Sequence, residues 1–196
     1  VAPRRVHSAR SERSPVTDDD LKLLFGTVVY TSKIYAHDWQ YWLPLLGLYT
    51  GARLEELCQL KGQDFKVTDG CHFIDIHGEG DTQNRVKTPS SVRKIPVHSE
   101  LIKLGLLDTV NKRPLESFLF DLSRINTNLG HVPSKWFGGY KASLGLPKGI
   151  KVFHSFRHTL RDKLTLNGVP NEHIRELLGH AQIGETFGRY GSSIPV

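Results

Sequence analysis

Methionine is absent from this sequence and cysteine is scarce. A chain that begins at Val1 and contains no Met reads as a segment of a longer protein. Its two cysteines, Cys58 and Cys71, form no Cys-x-x-Cys pair. That leaves little material for a disulfide framework or a thiolate metal site, and two buried thiols in a reducing compartment are the expectation. Long apolar runs are missing as well. The longest, Tyr41 to Tyr49, falls far short of the roughly 20 residues that cross a bilayer. No charged stretch followed by an apolar core opens the chain, so no secretory leader is visible. Internal repeats and low-complexity runs are lacking too.

Basic charge is present. The net charge is +6 and the isoelectric point about 9.4, a balance that favours an anionic partner, most often nucleic acid. The excess is unevenly spread. Residues 1–14 hold Arg4, Arg5, Arg10 and Arg13 against Glu12 alone, a net +3 of the total. Residues 1–15 are rich in Arg and Ser and read as a linker or disordered arm. The remainder, 16–196, is long enough for one domain with a sizeable core.

Local signals predict a mostly helical domain carrying one small sheet, an α+β fold. Thr17 followed by Asp18-Asp19-Asp20 is an N-cap with an acidic first turn. Residues 37–49 read as a buried helix, with a kink at Pro44 and a break at Thr50-Gly51. Leu54, Leu57 and Leu60 give a helical stripe over 53–60. Residues 72–77 alternate as a strand, and 84–97 read as a hairpin turning at Pro89-Ser90-Ser91. One helix is expected over 99–110, a break at Gly138-Gly139, and helices at about 154–167, 171–178 and 185–190.

The chemistry-bearing residues fall in four places. In HSFRHTLRDKLTLNG (154–168), Phe156, Leu160 and Leu164 mark a core face, while His154, Arg157 and Arg161 share another. An imidazole beside a guanidinium suits a phosphate with two free oxygens, although a solvated basic face is the ordinary reading. His154 and His158 also have a zinc-site spacing, but Ser155 stands where a metalloprotease glutamate would be and no third ligand is evident, so no metal or cofactor is expected. In LLGHAQIGETFGRYG (177–191), Gly179 ends a helix, His180 follows it, and Tyr190 lies ten residues on. In TGARLEELCQL (50–60), Arg53 opens a helix with Glu56 three residues later, which commonly means a surface ion pair. Lys87 precedes the hairpin turn.

Each signal is ordinary alone, but their order is not. Gly-x-Arg-x-x-Glu, a hairpin Lys, His-x-x-Arg-His, Leu-Gly-His and then a Tyr resemble the catalytic domain of the tyrosine recombinase (phage integrase) family over residues 15–191. SPVTDDDLKLLF and VKTPSSVRKIPV resemble that domain's opening and its strand-turn-strand. The resemblance implies the family's catalytic-domain fold and site-specific cutting and rejoining of DNA through a 3′-phosphotyrosyl bond. It makes Arg53 and Arg157 the catalytic arginines, His154 and His180 the two histidines, Lys87 the hairpin lysine, Tyr190 the nucleophile and Glu56 the supporting acid. It implies double-stranded DNA as partner, and a homo-oligomer, tetrameric at synapsis, for the longer protein, with a monomer expected for the segment alone. It also implies no membrane, a location at the bacterial nucleoid in the cytoplasm, and an N-terminal DNA-clamping domain upstream of this segment. A type IB topoisomerase-like nicking and closing enzyme, a non-catalytic DNA-binding module of the same fold and an unrelated helical nucleic-acid-binding regulator are the alternatives.

Overall fold

Val16 and Thr17 show how the domain starts. In the computed structural model, which describes residues 14–77, 91–126, 128–147 and 149–180, Thr17 caps helix α1 (Asp18–Phe25). Its hydroxyl accepts from the Asp20 amide while the Asp20 carboxylate accepts from the Thr17 amide at 2.8 Å, so two donors with no intrahelical partner are satisfied reciprocally. The preceding Val16 is pinned to the domain, its amide donating to Thr159 Oγ1 at 2.7 Å. A short helix, α2 (Val28–Thr31), follows, which local sequence signals did not predict.

The central element is α3 (Asp38–Thr50). It is buried along most of its length, and Pro44 lies inside it without ending it. Gly47 lets Phe153 approach closely, since a Cβ there would sit 2.8 Å from its ring. Gly51 ends α3 in the left-handed conformation, φ +62°, as the Thr50-Gly51 break predicts. A Cβ at Gly51 would also meet Leu178 Cδ2 at 2.6 Å, so this glycine is required twice, for conformation and for space. Gly51→Ala should therefore lower stability by about 1–3 kcal/mol in urea unfolding.

Helix α4 (Leu54–Cys58) follows, and the chain then enters an antiparallel sheet ordered β1 (Phe65–Thr68), β2 (Cys71–Ile76), β3 (Arg93–Pro96). Strand β1 lies outside the predicted strands. Asp69 and Gly70, both at positive φ, form the tight turn that joins it to β2, and the Asp-Gly pair is its sequence signal. Of the predicted hairpin over 84–97, the described part is Ser91 onward. Here β3 pairs with β2, Ile95 facing Ile74 and Arg93 facing Ile76.

Two predictions are corrected. The single helix over 99–110 is two, α5 (Ser99–Lys103) and α6 (Leu106–Asn111), because Gly105 adopts φ +90° between them. The break at Gly138-Gly139 does not occur. Both glycines lie inside α7 (His131–Ser143), whose Phe137 is buried and whose Trp136 stacks on Tyr140 and meets Trp39 edge-on at 5.5 Å. Aromatic burial against α3 outweighs the roughly 1 kcal/mol that each glycine costs a helix. Helices α8 (Ser155–Leu166) and α9 (Asn171–Leu178) match their predicted spans, while 185–190 lies outside the described residues. Phe156 is wholly buried as expected, Leu160 and Leu164 half-buried. Cys58 and Cys71 are free thiols, and burial pushes the Cys58 thiol well up, away from reactivity. Among the described residues no helix is long and apolar enough to cross a membrane.

Candidate active site

The last carbonyls of a helix have no intrahelical donor and carry partial negative charge. At the end of α9 these carbonyls are met by guanidinium groups from three other elements. Arg93 Nε on β3 donates to Leu177 O at 2.8 Å, Arg157 Nη2 on α8 donates to Leu178 O, and Arg53 Nη2 at the head of α4 reaches Gly179 O at 3.5 Å. Arg157 Nη1 also donates to Gly51 O at 2.7 Å, so one side chain ties the end of α3 to the end of α9. Those bonds use two of its five N–H donors.

Arg157 is therefore buried, not part of a solvated helix face. The expected face of His154, Arg157 and Arg161 divides: Arg161 is exposed and pairs with Asp162, while Arg157 points inward. Burial, then the charges of Arg53 and Arg93, draw the Arg157 pKa down to about 10, which leaves it charged near neutral pH.

Glu56 is the counter-charge. It is buried, and its carboxylate accepts from Arg53 Nη1 at 2.6 Å, from the Arg53 amide at 2.9 Å and from Arg93 Nη2 at 2.9 Å. The ion pair is thus a buried hub and not the ordinary surface pair. Burial works against ionisation of Glu56, but Arg93 and then Arg53 outweigh it and hold the carboxyl below its ordinary range. The adjacent Glu55 turns elsewhere, accepting from the Leu129 and Gly130 amides at the start of α7. Glu56→Gln would leave two guanidinium groups short of a buried charge and should cost about 3–5 kcal/mol in urea unfolding. The folded pKa lies below the unfolded value of about 4.3. The Glu56 contribution is thus present above that value and lost as pH falls through the folded pKa, so Glu56→Gln should flatten the acid limb of the stability curve.

His180 directly follows the αL cap Gly179, and its amide donates to Arg175 O at 2.9 Å. Partial burial, then Arg157, Arg53, Arg175 and Arg161, lower the pKa of its imidazole, which makes it neutral at pH 7. His154 occupies the N-cap of α8, one turn before Arg157, with its ring edge-on to His158 at 5.1 Å. Arg53, Glu56 and Arg157 are thus gathered around the end of α9, with His180 in their field. Lys87 and Tyr190 lie outside the described residues. Among the described residues no group of three or more His, Cys, Asp or Glu side chains is arranged to hold a metal ion.

Arg93 and Ser91 were missed as site residues. Ser91 Oγ accepts from Arg53 Nη1 at 3.0 Å and its carbonyl accepts from Arg93 Nη1 at 2.7 Å. The signal was available: Arg93, Ile95 and Val97 alternate, so a strand places all three on the core face, and a buried arginine requires an acid.

The sequence profile of the phage integrase family matches residues 16–194. A tyrosine recombinase XerC-like protein of Caldanaerobacter subterraneus subsp. tengcongensis is 34% identical over a match covering 78% of this chain and 45% of that protein. Tyrosine recombinase XerA of Pyrococcus furiosus is 31% identical, covering 74% and 47%. The chain thus spans about half the length of these relatives. Among solved structures, XerA recombinase superposes with a TM-score of 0.61 at 21% identity, covering 92% of this chain and 58% of that one. XerH recombinase in a pre-cleavage complex with its difH substrate gives 0.63 at 21% identity, covering 90% and 50%. The fold expected from sequence, mainly helical with a small antiparallel sheet, is that of the tyrosine recombinase catalytic domain.

Proposed function

The chain belongs to the phage integrase family, and from that premise we propose that it is the strand-transferring part of a site-specific tyrosine recombinase. The observation that carries this reading is the cluster of Arg53 and Arg157 around the end of α9, balanced by Glu56, immediately before His180. Attack on a phosphodiester builds negative charge on the non-bridging oxygens, and fixed guanidinium donors are suited to hold it. Arg53, whose side chain keeps 24% exposure, remains reachable from solvent.

In this mechanism the Tyr190 oxygen forms a bond to phosphorus as the bond from phosphorus to the 5′-oxygen breaks. The phenolic proton passes to His154, and Lys87 supplies a proton to the leaving oxygen. His180, neutral at pH 7, donates one N–H to a non-bridging oxygen. In the return step a 5′-hydroxyl gives its proton to Lys87 and attacks phosphorus as the phosphotyrosyl bond breaks, and Tyr190 leaves with the proton held by His154. The linkage energy is conserved, so no ATP is consumed, and arginines take the role that metal ions fill in other phosphoryl-transfer sites.

The partner is double-stranded DNA, consistent with the net charge of +6 and with the transposon right end DNA bound by the Tn1549 transposon integrase. The longer protein would act in the cytoplasm as a homo-oligomer, tetrameric at synapsis. The test is incubation with a pool of nicked, randomised DNA duplexes, followed by denaturing electrophoresis and mass mapping of the linked residue. A DNA adduct on Tyr190 is expected. An adduct on another residue overturns the nucleophile, and no adduct overturns the function.

A further inference from the structure

We propose that Arg93 is a positioning residue for this chemistry: from β3 it couples the carboxylate that holds Arg53 to the carbonyl end of α9 that precedes His180. The proposal rests on the recombinase reading above.

The geometry is particular to a guanidinium. Each nitrogen of Arg93 is used, and each on a different part of the chain. Nη2 donates to Glu56 Oε2 at 2.9 Å, Nε to Leu177 O at 2.8 Å and Nη1 to Ser91 O at 2.7 Å. The acceptors belong to α4, to α9 and to the entry into β3. The side chain is 3% exposed, so it cannot touch DNA and can act only through its partners.

Those partners are the supports of the other site groups. Glu56 divides its oxygens, Oε1 going to the Arg53 guanidinium and Oε2 to Arg93 and the Arg53 amide. With Arg93 in place the carboxylate plane is set, and Arg53 is held at one angle. Ser91 repeats the link, its carbonyl bonded to Arg93 and its hydroxyl to Arg53. Leu177 lies three residues before His180, so the third bond fixes the end of the helix from which that histidine projects.

Buried ion pairs are rarely better for stability than apolar side chains of the same volume. A charge at the core face of β3 is therefore better explained by the geometry it imposes. Lysine would keep the charge opposite Glu56 but cannot present a planar fork to three acceptors.

That difference defines the test. The probe is the duplex that the wild-type chain captures best from the randomised pool. Arg93→Lys and Arg93→Met are compared with wild type for thermal unfolding, noncovalent DNA affinity and single-turnover adduct formation. Arg93→Lys is expected to stay folded and to bind DNA within about twofold, while adduct formation slows about ten- to a hundredfold, the range that a displacement near 1 Å produces. The deficit should shrink on the same duplex carrying a neutral methylphosphonate at the mapped scissile position, because that linkage asks less of Arg53. Arg93→Met should lose more rate and some stability. A folded Arg93→Lys with a wild-type rate overturns the positioning role, as does an equal deficit on both duplexes. If both variants unfold at the assay temperature, Arg93 is a structural strut and the proposal fails. A wild-type chain that forms no adduct removes the recombinase reading and this role with it, whereas a wild-type adduct with an unaffected Arg93→Lys removes this role alone.

Discussion

Tyr190→Phe is expected to abolish covalent capture of DNA and to leave noncovalent binding within about twofold, since it removes one oxygen and little volume. The six tyrosines of the chain can be compared, and five of them lie among the described residues. Burial raises the phenol pKa of Tyr30, Tyr35, Tyr41 and Tyr49. A phenol near its usual pKa of about 10 is already a weak nucleophile at neutral pH, and a higher value makes it weaker. Tyr30 is further committed, its hydroxyl donating to Tyr41 O at 2.5 Å. Tyr140, the nearest rival upstream, donates to Leu24 O at 2.5 Å and stacks on Trp136 inside the aromatic cluster under α7. Tyr30, Tyr35, Tyr41 and Tyr140 build the aromatic core between α1, α2, α3 and α7, while Tyr49 packs against His98 near the C-terminal end of α3. Tyr190, ten residues past His180, is the phenol proposed for the attack. The measurement is denaturing electrophoresis of wild type and variant with the captured duplex, beside a binding titration. An SDS-resistant adduct from Tyr190→Phe would end the assignment.

Arg157→Ala should produce the second large effect. Loss of one fixed donor to a developing oxyanion typically costs about 10²–10³ in rate, or roughly 3–4 kcal/mol. Here the loss should lie at the upper end, because the side chain has two tasks. In the proposed reaction it donates to the phosphate, and it also satisfies Gly51 O and Leu178 O. Removing it strands two buried carbonyls, at about 1–3 kcal/mol each if no water replaces the donors. The two effects separate in the laboratory. Adduct formation is measured well below the variant's unfolding midpoint, and stability by urea. A folded Arg157→Ala with a near-normal adduct rate would remove Arg157 from the chemistry. A large rate loss with unchanged stability would instead show that its carbonyl bonds are expendable.

Local code was the legible part of this protein. Thr17 with its acidic turn, Gly51 at the end of α3 and Gly179 at the end of α9 stand where sequence signals put them, since caps and left-handed glycines are decided within a few residues. β1 is equally legible through Asp69-Gly70, whose positive φ angles make the turn into β2. The helix α7 was not legible in the same way. Its two adjacent glycines argue against a helix locally, and only the docking of Trp136 and Phe137 against α3 and α8 reverses that.

Residue order alone established the family resemblance, the fold class and the identities of Arg53, Glu56, Lys87, His154, Arg157, His180 and Tyr190 as candidates. Such motifs record which side chains are available and how far apart they lie along the chain. They do not record which acceptors those side chains face. Folding decided that Glu56 serves Arg93 across 37 positions, that Arg157 joins the ends of two helices, and that Arg93 belongs to the site at all. The reason is the cost of burial. A charge or carbonyl withdrawn from water must find its partner inside, and in this core the partners are supplied by elements distant in sequence.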